Sequence, residues 1–402
     1  MKRSGLSDVA KIQQGKYLAK DAMAPERTSE CPIPVHGANG IIGWTAEPMY
    51  EHGVPLVTCR GSNCGMVLWA EGPLWVSNNA MAILPKNGLC RFMYYRLLSS
   101  PPYDVVSGSA QPQITRTALG PREYEFPSEE AQADIEGLLT TLDDKIELNR
   151  RLNETLEAQA RALFRDWFVD FGPVKAKMDG DTPYLAPALW SLFPNRLDDD
   201  GVPEGWRPAT LDAFAICRNR KANPDEVDDG TAYIGLEHMP RRSIALSEWE
   251  GAQKVTSAKS RFWRREILFG KLRPYFHKVG IAPVDGICST DIVVLAPKKP
   301  HFEALTLTCV STDEFVAFTD QSSTGTKMPR TSWKIMRTYP TVMPNDTIAD
   351  AFQSICEPMI DCILANIEEN RTLAQTRDLL LPKLMSGEIR IREAERQIEK
   401  AL

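Results

Sequence analysis

Two segments 217 residues apart constrain the fold of this chain more than any other feature. DKIELNRRLNETL begins at Asp144 and DCILANIEENRTL at Asp361, with Asp, Ile, both Asn, Thr and Leu at matching places. The same offset carries Gly108 to Gly325, Pro112 to Pro329, Pro127 to Pro344 and Leu163 to Leu380, with no gap from Ser107 to Leu163. Farther upstream, VSNNAMAILPK falls on CSTDIVVLAPK at an offset of 212, and LSDVAKI falls on LDAFAIC at 205. The second copy is therefore 217 − 205 = 12 residues longer in its first part. A period this long marks a duplicated domain, since solenoid repeats run to about 20–50 residues.

Each copy ends in a long helix. Ser128, just after Pro127, is placed to cap free backbone amides, and Glu129 and Glu130 occupy the first turn, where the helix dipole favours negative charge. Pro344, Asn345 and Asp346 repeat that arrangement. Ile135, Leu139, Leu142, Ile146, Asn149, Asn153, Leu156, Ala160 and Leu163 step by four and three along one face, and Phe352, Cys356, Met359, Ile363, Asn366, Asn370, Leu373, Arg377 and Leu380 are their counterparts. A helix over 128–169 is roughly 60 Å long at 1.5 Å per residue and needs a partner of similar length. Antiparallel pairing of the two repeats brings Asn149 and Asn153 to Asn366 and Asn370, with Ile146, Leu156, Ile363 and Leu373 beside them. Asn in such a seam costs stability but sets register; the alternative is an imperfect seam with the Asn side chains in solvent. Pro358 predicts a kink and Pro382 a break in the second helix.

The first helix is expected to stop at Gly172-Pro173, and the Pro-rich stretch with its acidic LDDD reads as a linker. GVPLVTC, NAMAILP, REILFG and DIVVLAP read as strands between Gly, Pro and Asn turns. The expected fold class is α+β, with two pseudo-repeated globular α/β domains joined by two long helices that form an antiparallel coiled coil. The expected boundaries are 1–126 and 206–343 for the globular parts, 127–171 and 344–402 for the helices with the C-terminal tail, and 172–205 for the linker.

Composition narrows the function classes. With 43% hydrophobic and 25% charged residues the chain reads as globular. It has no apolar run of about 18 residues and no apolar stretch behind MKRSGLSDVAKIQQGK, so neither a membrane span nor a signal peptide is expected, and the chain is placed in the cytoplasm. The nine Cys contain no Cys-x-x-Cys pair and the five His are scattered, which predicts neither disulfides nor a metal site. Gly-x-Gly is absent among the 25 Gly, and neither a P-loop, a Gly-x-Ser-x-Gly elbow nor a nuclease-like set of carboxylates and lysine is present. Ser100-Pro101-Pro102-Tyr103 fits the short signature with which DNA amino-methyltransferases hold a flipped base, but it also reads as a loop fixed by its prolines.

The net charge of −6 hides a basic stretch, since eight cations between Lys254 and Lys278 face only Glu266. Arg261, Arg264, Arg265, Lys271, Arg273 and Lys278, with Tyr275 among them, are the expected DNA-contacting residues there; a solvated surface is the plain alternative. Phe269 in its apolar run belongs to a core. In the first copy SGSAQPQITR precedes the helix and offers Gln111, Gln113 and Arg116, whose amide and guanidinium groups match adenine and guanine edges. Lys16 and Arg60 complete the expected set.

The layout resembles the specificity subunit of type I restriction-modification systems. The resemblance rests on the duplication, on GSAQPQI ahead of FPSEEAQADI, on LEAQARALFRDWFVDFGPV and VPEGW at the junction, and on LLLPKLMSGEIRI near the end. It implies that each globular part is a target recognition domain reading one half of a split site in double-stranded DNA, with the helices as spacer. It also implies that two methylating subunits and motor-nuclease subunits dock on the chain and supply the chemistry. S-adenosylmethionine, ATP and Mg are then expected on those partners and no cofactor on this chain. One departure is that Pro203-Glu204-Gly205-Trp206 has no counterpart in the first copy, so either that domain is trimmed at its start or the beginning of the chain is misassigned. A self-sufficient DNA adenine methyltransferase built on SPPY is the rival reading, and a purely structural coiled-coil adaptor is the third.

Overall fold

A computed structural model of the chain describes residues 1–323 and 328–401. Gly325, the repeat partner of Gly108, lies outside the described residues. The chain divides into two compact units, one made of Met1–Lys145 with Thr372–Leu402 and the other of Ile146–Arg371.

In the first unit, Ala10–Gln14, Ala80–Pro85, Val54–Thr58 and Val67–Ala70 form an antiparallel four-stranded sheet in that order. Val54–Thr58 lies inside the sheet and is buried along its whole length, which suits its β-branched and apolar run. Gly40–Thr45, Ile33–Gly37 and Trp75–Val76 make a smaller sheet, and Lys2–Gly5 pairs with Glu123–Phe126. The helix Cys90–Ser99 packs on the four-stranded sheet and buries Phe92, Met93, Tyr95 and Leu97.

The second unit repeats this plan. Ala215–Arg218, Ile292–Pro297, Ile267–Gly270 and Val279–Ile281 form its antiparallel four-stranded sheet, and Arg207–Thr210 pairs with Pro340–Met343. The structural equivalents obey the sequence offsets: Ala10 and Ala215 open matching strands at 205, Ala80 and Ile292 at about 212 by the alignment already given, and Glu123 and Pro340 at 217. In place of the single helix Cys90–Ser99, this unit has two, Glu303–Val310 and Asp313–Gln321.

The long helices run over Glu129–Phe168 and Asp346–Ser386. Ser128 Oγ accepts from the Ala131 amide at 3.3 Å, and Asn345 Oδ1 from the Ile348 amide at 2.9 Å, so both N-termini are capped as their sequences predict. They pack antiparallel. In the second unit the end of the first helix meets the start of the second, with Phe164, Trp167 and Phe168 against Phe352 at ring separations of 6.4, 5.8 and 5.0 Å. In the first unit Ile135 and Leu139, near the start of the first helix, share a core with Leu380, Leu381 and Leu384 near the end of the second. The fold is thus α+β, with two pseudo-repeated globular α/β units and an antiparallel coiled coil.

Two expectations are corrected. The second helix does not break at Pro382, and it also passes Pro358 without interruption. Both prolines are exposed, and around Pro382 the buried Leu380, Leu381, Leu384 and Met385 contribute roughly 1.5–3 kcal/mol each, which outweighs the ~3 kcal/mol a mid-helix proline costs. Nor is 172–205 a bare linker. Phe171, left-handed at φ 55°, turns the chain into a helix at Gly172–Asp179 with Pro173 in its first turn, where the missing amide costs nothing. Val174, Phe193 and Val202 then join the core of the second unit, and Trp167 meets Phe193 edge-on at 4.8 Å.

Candidate nucleic-acid interface

The helix seam brings the four Asn side chains together. Asn149 Nδ2 donates to Asn370 Oδ1 at 2.9 Å and to Glu369 Oε2 at 2.6 Å, and Asn366 Nδ2 donates to Asn153 Oδ1 at 2.7 Å. Four residues forward on one helix match four residues back on the other, and the two Asn pairs exchange under the 217-residue offset. Ile146 and Ile363 are buried in the second unit with Leu156 half-buried at its core, while Leu373 is buried in the first. Arg377, a charge at a seam position, is matched by Asp143 at 2.6 Å, and Asp143 also accepts from the Tyr95 hydroxyl at 2.6 Å.

A residue the sequence did not single out is Glu157, which is 3% exposed. Burial pushes its pKa up, opposed by the neighbouring Arg161 at 2.6 Å and by the Ile244 amide, which donates to it at 3.0 Å. It ties a loop of the globular part to the first long helix.

The basic stretch divides into pinned and presented charges. Arg264 donates to the Pro283 carbonyl at 3.0 Å and to Glu368 at 3.1 Å, and its amide to Asp285 at 2.6 Å. Arg265, left-handed at φ 72°, donates to Glu303 at 2.7 Å through Nε and also pairs with Asp361, and those hydrogen bonds hold its proton more tightly than usual. Through these contacts the guanidinium groups of Arg264 and Arg265 hold the globular part to the second long helix. The partner carboxylates lie far along the chain, out of reach of any local reading. Lys278 donates to the Leu236 carbonyl, and burial lowers its pKa.

Glu266 accepts from the Trp263 amide at 2.9 Å and draws in Arg218 at 3.6 Å and Arg220. Arg220 and Arg261 then stand 5.1 and 6.0 Å from the exposed ring of Trp263. Arg218 and Arg220 lie outside the basic stretch, and only the fold adds them to it. Phe262 and Phe269 are buried in cores, whereas Tyr275 is 49% exposed and its ring meets Phe276 at 4.8 Å.

One backbone arrangement recurs in both units. In the first, the turn after Val54–Thr58 pairs with the loop before the long helix: the Gly61 amide donates to the Pro112 carbonyl at 3.1 Å, and the Ile114 amide to the Cys59 carbonyl at 3.1 Å, with Arg60 bridged to Gln113. Ser107 and Gln113 exchange backbone bonds at 2.9 and 2.8 Å and close the loop. Arg60, Gln111, Gln113 and Arg116 are all exposed. Asn63 donates to Asn39 at 2.8 Å, which brings the tip of the hairpin at residues 33–45 beside this turn. Lys16 is exposed beyond the strand Ala10–Gln14 and takes no part in the pairing.

In the second unit the Arg273 amide donates to the Pro329 carbonyl at 2.8 Å and the Thr331 amide to the Lys271 carbonyl at 3.0 Å, with Leu272 bridged to Arg330. Lys271, Leu272 and Arg273 occupy the places of Cys59, Arg60 and Gly61 at the 212 offset, and Pro329, Arg330 and Thr331 those of Pro112, Gln113 and Ile114 at 217. Gly61 has φ 89°, and Arg273 occupies the same left-handed region at φ 51°, a conformation that costs a non-Gly residue of the order of 1–3 kcal/mol. The Phe276 amide donates to the Arg273 carbonyl at 2.9 Å, and Arg241 stands 4.1 Å from the Phe276 ring.

SPPY has a structural role. Arg122 donates to the Ser100 carbonyl at 2.9 Å, to Ser100 Oγ at 3.1 Å and to the Pro101 carbonyl at 3.2 Å, which fixes the turn after the helix Cys90–Ser99. Both four-stranded sheets are antiparallel throughout, unlike the parallel sheet of a nucleotide-binding fold. No helix among the described residues is long and apolar enough to cross a membrane.

The two globular units are duplicates, and each is built on paired long helices. Residues 1–158 match the family described as the type I restriction modification DNA specificity domain. The chain is 26% identical over 361 residues to the type I restriction enzyme MjaIX specificity subunit of Methanocaldococcus jannaschii, covering 86% of this chain and 79% of that one. It is also 26% identical over 381 residues to the HindI specificity subunit of Haemophilus influenzae, covering 78% and 79%. Its fold is similar to that of the type I restriction-modification S subunit from M. genitalium, with a TM-score of 0.56 at 16% identity over 95% of each chain. The chain is thus similar over most of its length to type I restriction enzyme specificity subunits, and its first 158 residues match the DNA specificity domain of those systems.

Proposed function

We propose that this chain reads a bipartite site in double-stranded DNA, one half with each globular unit, and performs no chemistry itself. Two methylating subunits that carry S-adenosylmethionine dock on it and modify adenines, and motor-nuclease subunits that use ATP and Mg complete the restriction enzyme in the cytoplasm. The observation that carries this reading is the recurrence of one backbone pairing in both units with different side chains, exposed Arg60 and Gln113 in one and half-buried Arg273 with exposed Arg330 in the other. A protein that reads two different half-sites needs a common frame with exchangeable donors and acceptors.

Co-expression with the neighbouring methylating subunit, followed by genome-wide mapping of methylated adenines, tests it. The expected product is a two-part motif with unspecified bases between its halves. Adenine methylation by the isolated chain supplied with S-adenosylmethionine would instead establish the self-sufficient methyltransferase.

A further inference from the structure

We infer that the paired turn and loop is the base-reading edge of each unit, and that Arg273 reads a guanine in the half-site of the Ile146–Arg371 unit while Arg60 and Gln113 read the other half-site. This inference rests on the reading of the chain as a DNA-specificity subunit.

The pairing joins segments distant in sequence, Arg60 with Gln113 and Leu272 with Arg330, and survives in both copies although the chain between them differs in length. What changes on this constant frame is the side-chain chemistry. Arg60 becomes Leu272, Gly61 becomes Arg273 and Gln113 becomes Arg330, so the guanidinium moves one position along the turn and an amide gives way to a second guanidinium. Guanidinium groups match the two acceptors of guanine and amides the donor and acceptor of adenine, so the two edges are built for different bases.

Arg273 carries the argument furthest. Glycine is the natural occupant of its left-handed backbone, as Gly61 shows in the first copy, yet arginine stands there. The bonds from the Arg273 amide to Pro329 and from the Phe276 amide to Arg273 hold the strained residue in place. Arg264 and Arg265 are consumed by carboxylates, but among the described residues no ion pair engages Arg60 or Arg273. Arg330 pairs with Asp291 at 3.4 Å, whereas the half-buried Arg273 keeps its guanidinium free of any carboxylate among the described residues. Tyr275 and Phe276 follow it in the turn; the Phe276 ring lies 5.9 Å from its guanidinium and limits where that group points.

The test uses the full chain co-expressed with the methylating subunit and maps the methylated motif. R273G places glycine where the backbone favours it, so thermal melting should hold at or above that of the parent protein. One base in one half-site should nevertheless relax, with discrimination there falling roughly tenfold to a hundredfold and the other half-site unchanged. R60A combined with Q113A should relax only that other half-site. A motif unchanged in R273G, relaxation of both half-sites, or a uniform drop in methylation across all sequences, as a phosphate contact would give, overturns the inference. Should R273G unfold, R273Q keeps the strained backbone and changes the donor pattern, and its retention of the parent motif overturns the inference equally. A parent complex that methylates no two-part motif defeats the underlying reading and this inference with it.

Discussion

Burial depresses the basicity of His277, whose ring is 5% exposed and faces the Ser311 carbonyl at 3.0 Å and Asp313 at 3.1 Å. Those two acceptors pull its pKa upward and the nearby Arg242 pushes it down, but desolvation dominates. The folded state therefore binds this proton less well than the unfolded chain, whose value is 6.5. The contribution to stability is present above that value and is lost as pH falls through it toward the folded pKa, at up to about 1.4 kcal/mol per pH unit. Melting curves between neutral and mildly acidic pH should show this decline, and H277Q should flatten it; an identical acid slope in the variant would remove His277 from the account. At Asn149 the expected effect of N149L is a loss of about 1–3 kcal/mol, because the buried Asn370 amide oxygen loses that donor. Denaturant titration measures it, and a stability within error of the parent protein would show that the seam tolerates apolar repacking there.

At the scale of elements, charge fastens globular parts to helices. Glu157 holds the Ile244 loop on the first long helix, and Arg265 bridges Glu303 and Asp361, the latter on the second. R265A leaves the mostly buried Glu303 without its cation and should cost about 3 kcal/mol, whereas R264A removes an exposed pair and should cost under ~1 kcal/mol. Both variants should keep the parent methylation motif once assembled, and a changed motif in either would place these arginines in the DNA-reading set. The local sequence shows eight cations and one anion, so it overstates the available charge; the neutralising carboxylates arrive only when distant elements pack. The same limit explains the segment 172–205. Its prolines and acidic run look like a linker, and nothing local reveals that Phe193 will meet Trp167 edge-on.

For the whole molecule, the repeat makes each long helix a chemical substitute for the other. Ile135, Leu139 and Leu142 are buried in the first unit, where Leu380, Leu381 and Leu384 of the second helix share the core. A fragment of residues 1–171 would expose that apolar face. It should self-associate, with Asn149 of one copy facing Asn153 of another, since Asn153 and Asn370 are repeat partners. Light scattering should find dimers; a stable monomeric fragment would show that the first unit does not need the second helix. The sequence by itself determined the duplication, the capped starts of both helices, and four of the eight strands in the four-stranded sheets. Those properties follow from periodicity and local turn chemistry, which neighbouring residues express without help. It also led to the four Asn, because antiparallel pairing of equal repeats allows few registers. Only the tertiary structure decided which charges are spent internally, that Arg218 and Arg220 join Glu266, and that Arg60 meets Gln113 as Leu272 meets Arg330. These are contacts between distant segments, fixed by the packing of sheets and helices, and no local pattern of residue types encodes them.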